Sequence, residues 1–287
     1  MPTLLVRYGE IGLKSNRVRK RFEDALVADI RRKHASAEVQ CIIISQRGRI
    51  FVDSDDWRRS CEMLSRTFGV VSFSPATKID GGMEEIVGAA VSFAGPLIFD
   101  GAGFAIRARR SGNHPFTSQD VCVKVGAAVL SAYAQKGIKV HLDDPDVEIF
   151  IEVRDRSAYL YSSVIPGPGG MPKGTQGRVL SIVSSDRGVA ASWLLMKRGC
   201  TLVAASDDGR LCGTLREWDA DLHTIAPSVD PFADAVAERC RAIVMDWGVE
   251  QFGKLSAPRG PLPVFYPLVG MVQDEVQALA GRVSRSY

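Results

Sequence analysis

Residues 166–170 read Pro-Gly-Pro-Gly-Gly, and the 287-residue chain changes character at this point. Proline lacks a backbone N–H and glycine leaves the backbone unrestricted, so this stretch can form neither a helix nor a central strand. It predicts a boundary between an α+β region before it and an α/β region after it. Working outward, the sequence predicts four segments, at 1–75, 76–165, 166–176 (a Gly/Pro linker) and 177–287.

The first segment has a ferredoxin-like pattern. It predicts a strand at 3–8, a helix at 17–33, strands at 41–45 and 49–53, a helix at 55–67 and a strand at 70–74. Asn16 is the predicted N-cap of the first helix, and the turns fall at 9–12 and at Arg47-Gly48. Strand–helix–strand–strand–helix–strand is the order of ferredoxin-like domains.

The second segment begins with a short extended stretch at 77–80 and a helix at 83–93. A strand at 103–110 alternates apolar and basic residues, and a helix follows, with Ser118 as its predicted N-cap, to about residue 136. The residues predicted to face inward from that helix are Val121, Val125, Val129 and Leu130. Strands at 147–153 and 158–164 pair across the turn at 154–156.

Beyond the linker, strands at 177–183 and 200–205 flank a helix at 189–198. A further helix is predicted at 231–241 and a further strand at 264–268. Strand–loop–helix–strand order indicates a parallel sheet of the α/β class.

Composition narrows the class of protein. Hydrophobic residues make up 46% and charged residues 24%, which is typical of a globular chain with buried cores. Because no apolar run is long enough to cross a bilayer and Met1 leads directly into a strand, we expect a cytoplasmic protein without a signal peptide. The six cysteines are far apart and form no C-x-x-C pair, so neither a metal site nor an iron–sulfur cluster is expected.

The net charge of +3 is unevenly placed, since basic residues cluster at 17–21 and 107–110. Such clusters are suited to a phosphate backbone, because each contact releases a condensed counterion, although a solvated protein face has the same composition.

Longer motifs run through the chain and carry a resemblance to a known family. They lie at 6–14 (VRYGEIGLK), 49–52, 68–75, 109–118, 140–146, 158–161, 164–179 (VIPGPGGMPKGTQGRV), 193–199 and 266–271. In these motifs the chain resembles the tRNA 4-thiouridine synthases, the ThiI-like tRNA sulfurtransferases. The resemblance implies an N-terminal ferredoxin-like domain, a THUMP domain and a reduced PP-loop (Rossmann-like) α/β domain. It also implies that the first two domains bind tRNA.

We expect the RNA contacts to involve forked arginine donors, a stacking ring, a helix N-terminus and the backbone of the linker. The candidates are Arg107, Arg109, Arg110, His114, Phe116, Ser118, Lys124, Gly169, Gly170 and Lys173. A packing role fits Phe116 equally well, and a flexible hinge fits the glycines equally well.

The family's nucleotide loop reads Ser-Gly-Gly-x-Asp-Ser, whereas residues 184–188 here read Ser-Ser-Asp-Arg-Gly. The glycine pair, which lets backbone N–H groups curl around a phosphate, is missing. The remnants of the site would be Ser184, Ser185, Asp186 and Gly188, with Asp246 in place of the second nucleotide motif. No cysteine follows Cys240, although the family's catalytic cysteine lies downstream of the residues that match 267–271.

The leading hypothesis is therefore a relative that binds tRNA or a similar structured RNA and lacks thiolation activity, with no cofactor, no membrane and no DNA partner. One alternative is a divergent 4-thiouridine synthase that uses ATP and Mg²⁺, with Cys200, Cys212 or Cys240 as the sulfur carrier. Another is a sulfur-transfer accessory protein of thiamine biosynthesis. The sequence also allows a homodimer and a separate catalytic partner.

Overall fold

The computed structural model describes residues 2–9, 15–46, 48–252 and 258–284. The turns predicted at 9–12 and at Arg47-Gly48 therefore lie partly outside the described residues. The chain forms two compact units, each built from separate stretches of sequence. The first contains Met1–Leu5, Val52–Trp57 and Ser74–Ile165, and the second contains Val6–Phe51, Arg58–Phe73 and Pro166–Tyr287. The four-segment division predicted from the sequence stays a prediction.

The N-terminal elements follow the predicted ferredoxin-like order. They are β1 (Thr3–Tyr8), α1 (Asn16–Ser36), β2 (Cys41–Gln46), β3 (Arg49–Ser54), α2 (Trp57–Ser65) and β4 (Val70–Asp80). The strands pair in the order β2-β3-β1-β4. Helix α1 buries Phe22, Leu26 and Ile30, as its apolar spacing predicts.

Two details of these elements correct the sequence prediction. The N-cap position of α1 is Ser15, and Asn16 is already the first helical residue. The two extended stretches predicted at 70–74 and 77–80 form one strand, β4, which continues through Pro75. A proline can occupy a strand where its nitrogen is not needed as a donor, so Pro75 does not interrupt β4.

The next elements complete the first unit. They are α3 (Met83–Ala94), β5 (Gly103–Ser111), α4 (Ser118–Ala132), a 3₁₀ turn (Ala134–Lys136), β6 (Lys139–Val140), β7 (Val147–Arg154), β8 (Ser157–Tyr161) and β9 (Ile165–Pro166). The strand order is β4-β8-β7-β5-β6. Strand β5 is parallel to β7, whereas β7 and β8 are antiparallel and join at Asp155, which has a left-handed backbone (φ 50°).

The core of the first unit lies between helices α3 and α4 and one face of this sheet. Phe104 and Ile106 of β5 meet Val121, Val125 and Val129 of α4 there. Leu130, predicted to face inward, is instead exposed, because a fourth inward position would lie outside the stripe that α4 presents to the sheet. The helix also ends earlier than predicted, since its last turn tightens into the 3₁₀ turn.

The elements after the linker form a doubly wound α/β fold. They are β10 (Arg178–Ile182), α5 (Asp186–Lys197), β11 (Thr201–Ala205), α6 (Gly209–Arg216), β12 (His223–Ile225), α7 (Pro231–Ala237), β13 (Ile243–Val244), α8 (Val249–Phe252), β14 (Val264–Phe265) and α9 (Gln273–Val283). The strands pair in the order β12-β11-β10-β13-β14, and every pairing is parallel. The predicted parallel sheet is therefore confirmed.

Successive side chains of each strand point to opposite faces of this sheet, and both faces are buried. Val179 and Leu202 belong to one core with residues of α5, α6 and α9, whereas Leu180 and Val203 belong to another with Ala235 of α7. Within the described ranges, no helix is long and apolar enough to cross a membrane.

Candidate functional site

The three arginines of β5 differ in how their charge is compensated. The Nε atom of Arg107 lies 2.8 Å from Oε1 of Glu148, and its Nη2 donates to the carbonyl of Leu142 at 2.5 Å. Arg109 and Arg110 are exposed, and neither forms an ion pair with any residue that the structure describes. Among the residues that the structure describes, Arg110 donates only to the backbone carbonyl of Gly112. Two of the three predicted arginines are therefore available to a partner, and the third is held by its neighbours.

His114 and Phe116 lie in the loop between β5 and α4, with ring centroids 5.5 Å apart and planes at 32°. Phe116 is partly buried against the core of the first unit, and an imidazole nitrogen of His114 is bonded to the carbonyl of Ser111 at 3.2 Å. Packing thus fixes the ring pair in place. Phe116 has the predicted packing role, while both rings keep some exposed surface.

Helix α4 begins one residue earlier than predicted, since its N-cap is Thr117 and not Ser118. The Thr117 hydroxyl accepts from the backbone N–H of Asp120, and the Asp120 carboxylate accepts from the Thr117 N–H at 2.7 Å. These bonds from Thr117 hold the pKa of Asp120 below its ordinary value. Because a carboxylate of the chain already lies at this helix N-terminus, the end of α4 is a poor site for a second anion. Lys124, one turn further along, is exposed.

The linker glycines serve close backbone packing within the second unit. Gly169 and Gly170 both have left-handed backbones, with φ of 66° and 77°. A Cβ atom on Gly170 would lie 2.2 Å from the carbonyl oxygen of Lys197, so only glycine fits there. Lys173 forms a largely buried ion pair with Asp219, so its ammonium group is turned away from the phosphate contact predicted for it.

Residues 183–185 join β10 to α5, which begins at Asp186, three residues earlier than predicted, so Asp186, Arg187 and Gly188 form its first turn. The polar groups of this turn are bonded within the chain. Ser185 is the N-cap of α5, and its hydroxyl accepts from the N–H of Gly188 at 3.3 Å. The same hydroxyl donates to Oδ2 of Asp246 at 2.9 Å. Gly188 allows α5 to approach the sheet, since a Cβ there would lie 3.0 Å from the carbonyl oxygen of Ile182. Ser184 is exposed.

The carboxylate of Asp186 and the backbone carbonyl of Asp246 have arginine partners that the sequence pattern did not reveal. Asp186 pairs with Arg210 at 2.9 Å, and Arg187 donates to the carbonyl of Asp246 and to the side chain of Gln273. Arg210 and Gln273 lie far from the loop in sequence, so no local signal marks them. Of the predicted remnants, Ser185 is bonded to the side chain of Asp246, whereas Asp186 is paired with Arg210 and Ser184 is exposed.

The cysteines considered as sulfur carriers are all free thiols. Cys200, Cys212 and Cys240 are buried. Burial raises the pKa of Cys200, and it raises the pKa of Cys240 to about 11. A thiol with a raised pKa is a weak nucleophile at neutral pH. Among the described residues, no three His, Cys, Asp or Glu side chains are grouped closely enough to hold a metal ion.

Two family models match the N-terminal part of the chain. Residues 3–74 match the ThiI ferredoxin-like domain, and residues 82–163 match the THUMP domain. The six residues named above from β5, the following loop and α4 (Arg109, Arg110, His114, Phe116, Ser118 and Lys124) all lie within the THUMP match.

Curated relatives extend the similarity beyond those two domains. A probable tRNA sulfurtransferase of Methanothermobacter thermautotrophicus is 35% identical over 288 residues, covering 96% of this chain and 72% of the relative. One of Methanobrevibacter smithii is 42% identical over 212 residues, covering 71% of this chain and 53% of the relative. The matched stretch is thus about half to three quarters of the length of these relatives.

Solved structures agree in fold. The Pyrococcus horikoshii protein PH1313 superposes with a TM-score of 0.83 at 28% identity, covering 99% of this chain and all of that one. A 4-thiouridine synthetase solved with RNA and bound ATP gives a TM-score of 0.78 at 20% identity, covering 99% of this chain and 85% of that one. Together with the sequence matches, these findings show that the chain is a THUMP-containing member of the ThiI-like tRNA sulfurtransferase family.

Proposed function

We propose that this chain binds tRNA through a surface that we call the arginine surface, formed by Arg109, Arg110, Lys124 and the rings of His114 and Phe116. The observation that carries the proposal is the contrast within β5, where Arg107 is paired with Glu148 but Arg109 and Arg110 have no acidic partner among the described residues. Uncompensated arginines are the groups that bind phosphates with forked hydrogen bonds.

The remaining members of the arginine surface suit an RNA partner. Lys124 adds an exposed cation. The ring pair of His114 and Phe116 is held by packing, so an unpaired base can stack on it without ordering a mobile side chain. The names of the curated relatives, probable tRNA sulfurtransferases, support tRNA as the class of RNA.

A gel-shift titration of unmodified tRNA at several salt concentrations tests this proposal. Because the contacts are to phosphates, the affinity should fall steeply as the salt concentration rises. The slope of log affinity against log salt concentration should be roughly proportional to the number of neutralised phosphates. A double-stranded DNA of matched length is the control and should bind more weakly. Absence of a shift, or a shift that salt does not change, would contradict tRNA binding.

We also propose that the chain does not hold ATP at residues 184–188 and does not itself carry out thiolation. ATP is the nucleotide that the family resemblance implies, and the residues here do not fit its phosphates. The hydroxyl of Ser185 and the carboxylate of Asp246 occupy the N-terminus of α5, where a phosphate would need free backbone N–H groups and no nearby negative charge. None of residues 184–188 has the left-handed backbone that Gly169 and Gly170 adopt.

The buried cysteines support the same proposal. Thiolation needs a reactive thiolate, and the thiols of Cys200 and Cys240 are stabilised in the protonated form by burial. Adenylation and sulfur delivery would then belong to a separate catalytic partner, to which this chain would present the RNA.

A further inference from the structure

A cleft in the second unit lies at the opposite end of α5 from residues 184–188. Its volume is about 520 Å³, and a neighbouring cavity of about 170 Å³ shares Trp193, Lys197 and Arg282 with it. One wall of the cleft is apolar, with Met171, Leu194 and Met271. Nothing proposed above uses this cleft.

The other wall carries three cations, Lys197, Arg198 and Arg282, and no residue that lines the cleft is acidic. Arg198 and Arg282 form no ion pair with any described residue. The Nζ atom of Lys197 lies 5.1 Å from the centre of the Trp193 ring, which offsets part of the cost of a partly buried positive charge. Burial lowers the pKa of Lys197, and repulsion from Arg282 and Arg198 lowers it further.

Helix dipoles explain part of this arrangement. Lys197 and Arg282 belong to the last turns of α5 and α9, where the negative end of a helix stabilises a cation. The dipoles do not explain why the two helix ends meet at one cleft without an acid between them. Three like charges around one cavity are stabilised by an anion within it.

Trp193 lines both cavities, and its side chain is 8% exposed. Its indole Nε1–H has no hydrogen-bond partner among the described residues, but the nitrogen is itself covered, so a molecule in the cleft meets the ring and not this N–H. The indole therefore reports occupancy next to Lys197, Arg198 and Arg282 and is not one of the groups that hold the anion.

We propose that this cleft binds an organic phosphate. The phosphate group contacts Lys197, Arg198 and Arg282, and the organic part packs against Met171, Leu194 and Met271. A phosphate matches the site better than a carboxylate because it carries up to two charges and has three oxygens to share among the three cations. The phosphate is either that of a free small molecule or that of a nucleotide at the end of a nucleic-acid strand.

The test follows the four indole N–H signals of the ¹⁵N-labelled chain by NMR, with the Trp193 signal assigned from a Trp193→Phe variant. Phenyl phosphate is the probe. Phenol and inorganic phosphate serve as comparison ligands, because they carry its apolar group and its anionic group separately. We expect phenyl phosphate to move the Trp193 signal saturably, inorganic phosphate to do so only at higher concentration, and phenol to have no effect. A short 5′-phosphorylated RNA distinguishes the sources: it binds more tightly than phenyl phosphate if the natural ligand is a strand end, and less tightly if it is a free molecule.

Arg282→Gln should weaken phenyl phosphate binding about tenfold or more, since it removes one charged hydrogen-bonding partner. Arg216→Gln, at an exposed arginine in the last turn of α6 and outside the cleft, is the matched control and should leave the affinity unchanged. The proposal is overturned if the Trp193 signal does not respond to phenyl phosphate, if Arg282→Gln and Arg216→Gln behave alike, or if inorganic phosphate binds as tightly as phenyl phosphate.

Discussion

The junctions β5–α4 and β10–α5 are built alike, yet they present different charge to a ligand. In each, a strand leads through a short loop to a helix whose N-cap hydroxyl accepts from a backbone N–H, at Thr117 in one and at Ser185 in the other. A carboxylate of the chain also lies at each helix N-terminus. It is that of Asp120 at α4 and that of Asp246 at α5. Neither helix end is therefore an open anion site.

The difference lies in the cations around the two junctions. At the end of β5, Arg109 and Arg110 have no acidic partner among the described residues, whereas beside α5 the guanidinium of Arg210 is paired with Asp186 and that of Arg187 is bonded to the backbone of Asp246 and to Gln273. The two junctions therefore differ in how their cations are compensated and not in how their helices are capped.

The largest expected effect comes from removing the uncompensated charge. The double variant Arg109→Ala/Arg110→Ala should weaken tRNA binding about 10- to 100-fold, equally for different tRNAs, because phosphate contacts carry little sequence information. Filter binding at fixed salt measures it. Arg107→Ala, at the paired arginine of the same strand, is the matched control and should have a clearly smaller effect. Equal losses for the two variants would contradict the distinction drawn between these arginines.

The next effect concerns the cap of α5. Ser185→Ala removes the N-cap bond and the hydroxyl that donates to Asp246, and we expect the free energy of unfolding to fall by about 1–2 kcal/mol. Urea denaturation followed by circular dichroism measures it. Ser184→Ala, at the exposed neighbouring serine, should change the stability very little. If Ser184→Ala were as destabilising as Ser185→Ala, Ser185 would not be the cap.

The cap of α4 should contribute somewhat less to the free energy of unfolding than the cap of α5. Thr117→Ala is expected to lower the free energy of unfolding by about 1 kcal/mol, while Ser118→Ala, at the residue that the sequence indicated as the cap, should have little effect. Thr117 and Asp120 form a capping box, in which each side chain accepts from the backbone N–H of the other residue. This arrangement also makes the loss of stability depend on pH. Because Asp120 has a lowered pKa, its bonds stabilise the fold above the ordinary carboxyl value of 3.8 and are lost as the pH falls through the lower folded value. The difference in the free energy of unfolding between wild type and Thr117→Ala should therefore become smaller at acidic pH.

The smallest expected effect is that of ATP on the melting temperature. Binding at 100 times the Kd would add about 2.7 kcal/mol of stability, so a shift of several degrees is easily seen by differential scanning fluorimetry. We expect no shift with millimolar ATP and Mg²⁺, with or without tRNA, and Mg²⁺ alone is the control. A saturable rise with ATP would show that residues 184–188 accept a nucleotide, and it would favour a divergent synthase.

The sequence predicted those parts of the fold that depend on local pattern. Apolar spacing located α1 and α4, and the Gly/Pro stretch at 166–170 separated the α+β and α/β regions. Short elements such as β12 and β13 were missed, because two or three residues do not establish a period.

Side-chain partners were the less predictable part of the site. Lys173 was expected at a phosphate and instead pairs with Asp219, 46 residues further along the chain. Likewise, nothing near Arg107 in sequence distinguishes it from Arg109; Glu148 does so through the parallel pairing of β5 with β7. Whether a charged residue is compensated depends on such distant contacts, which a single sequence does not reveal.

The division of the chain into two interleaved units has a consequence for its biosynthesis. The second unit needs residues 6–51 and 58–73 together with those from Pro166 onward, and the first begins at the N-terminus but is mostly made of Ser74–Ile165. During translation, the N-terminal ferredoxin-like elements emerge from the ribosome long before the parallel sheet that completes their unit. Since such distant pairings form slowly, we expect the second unit to fold only after the strands of its parallel sheet have emerged.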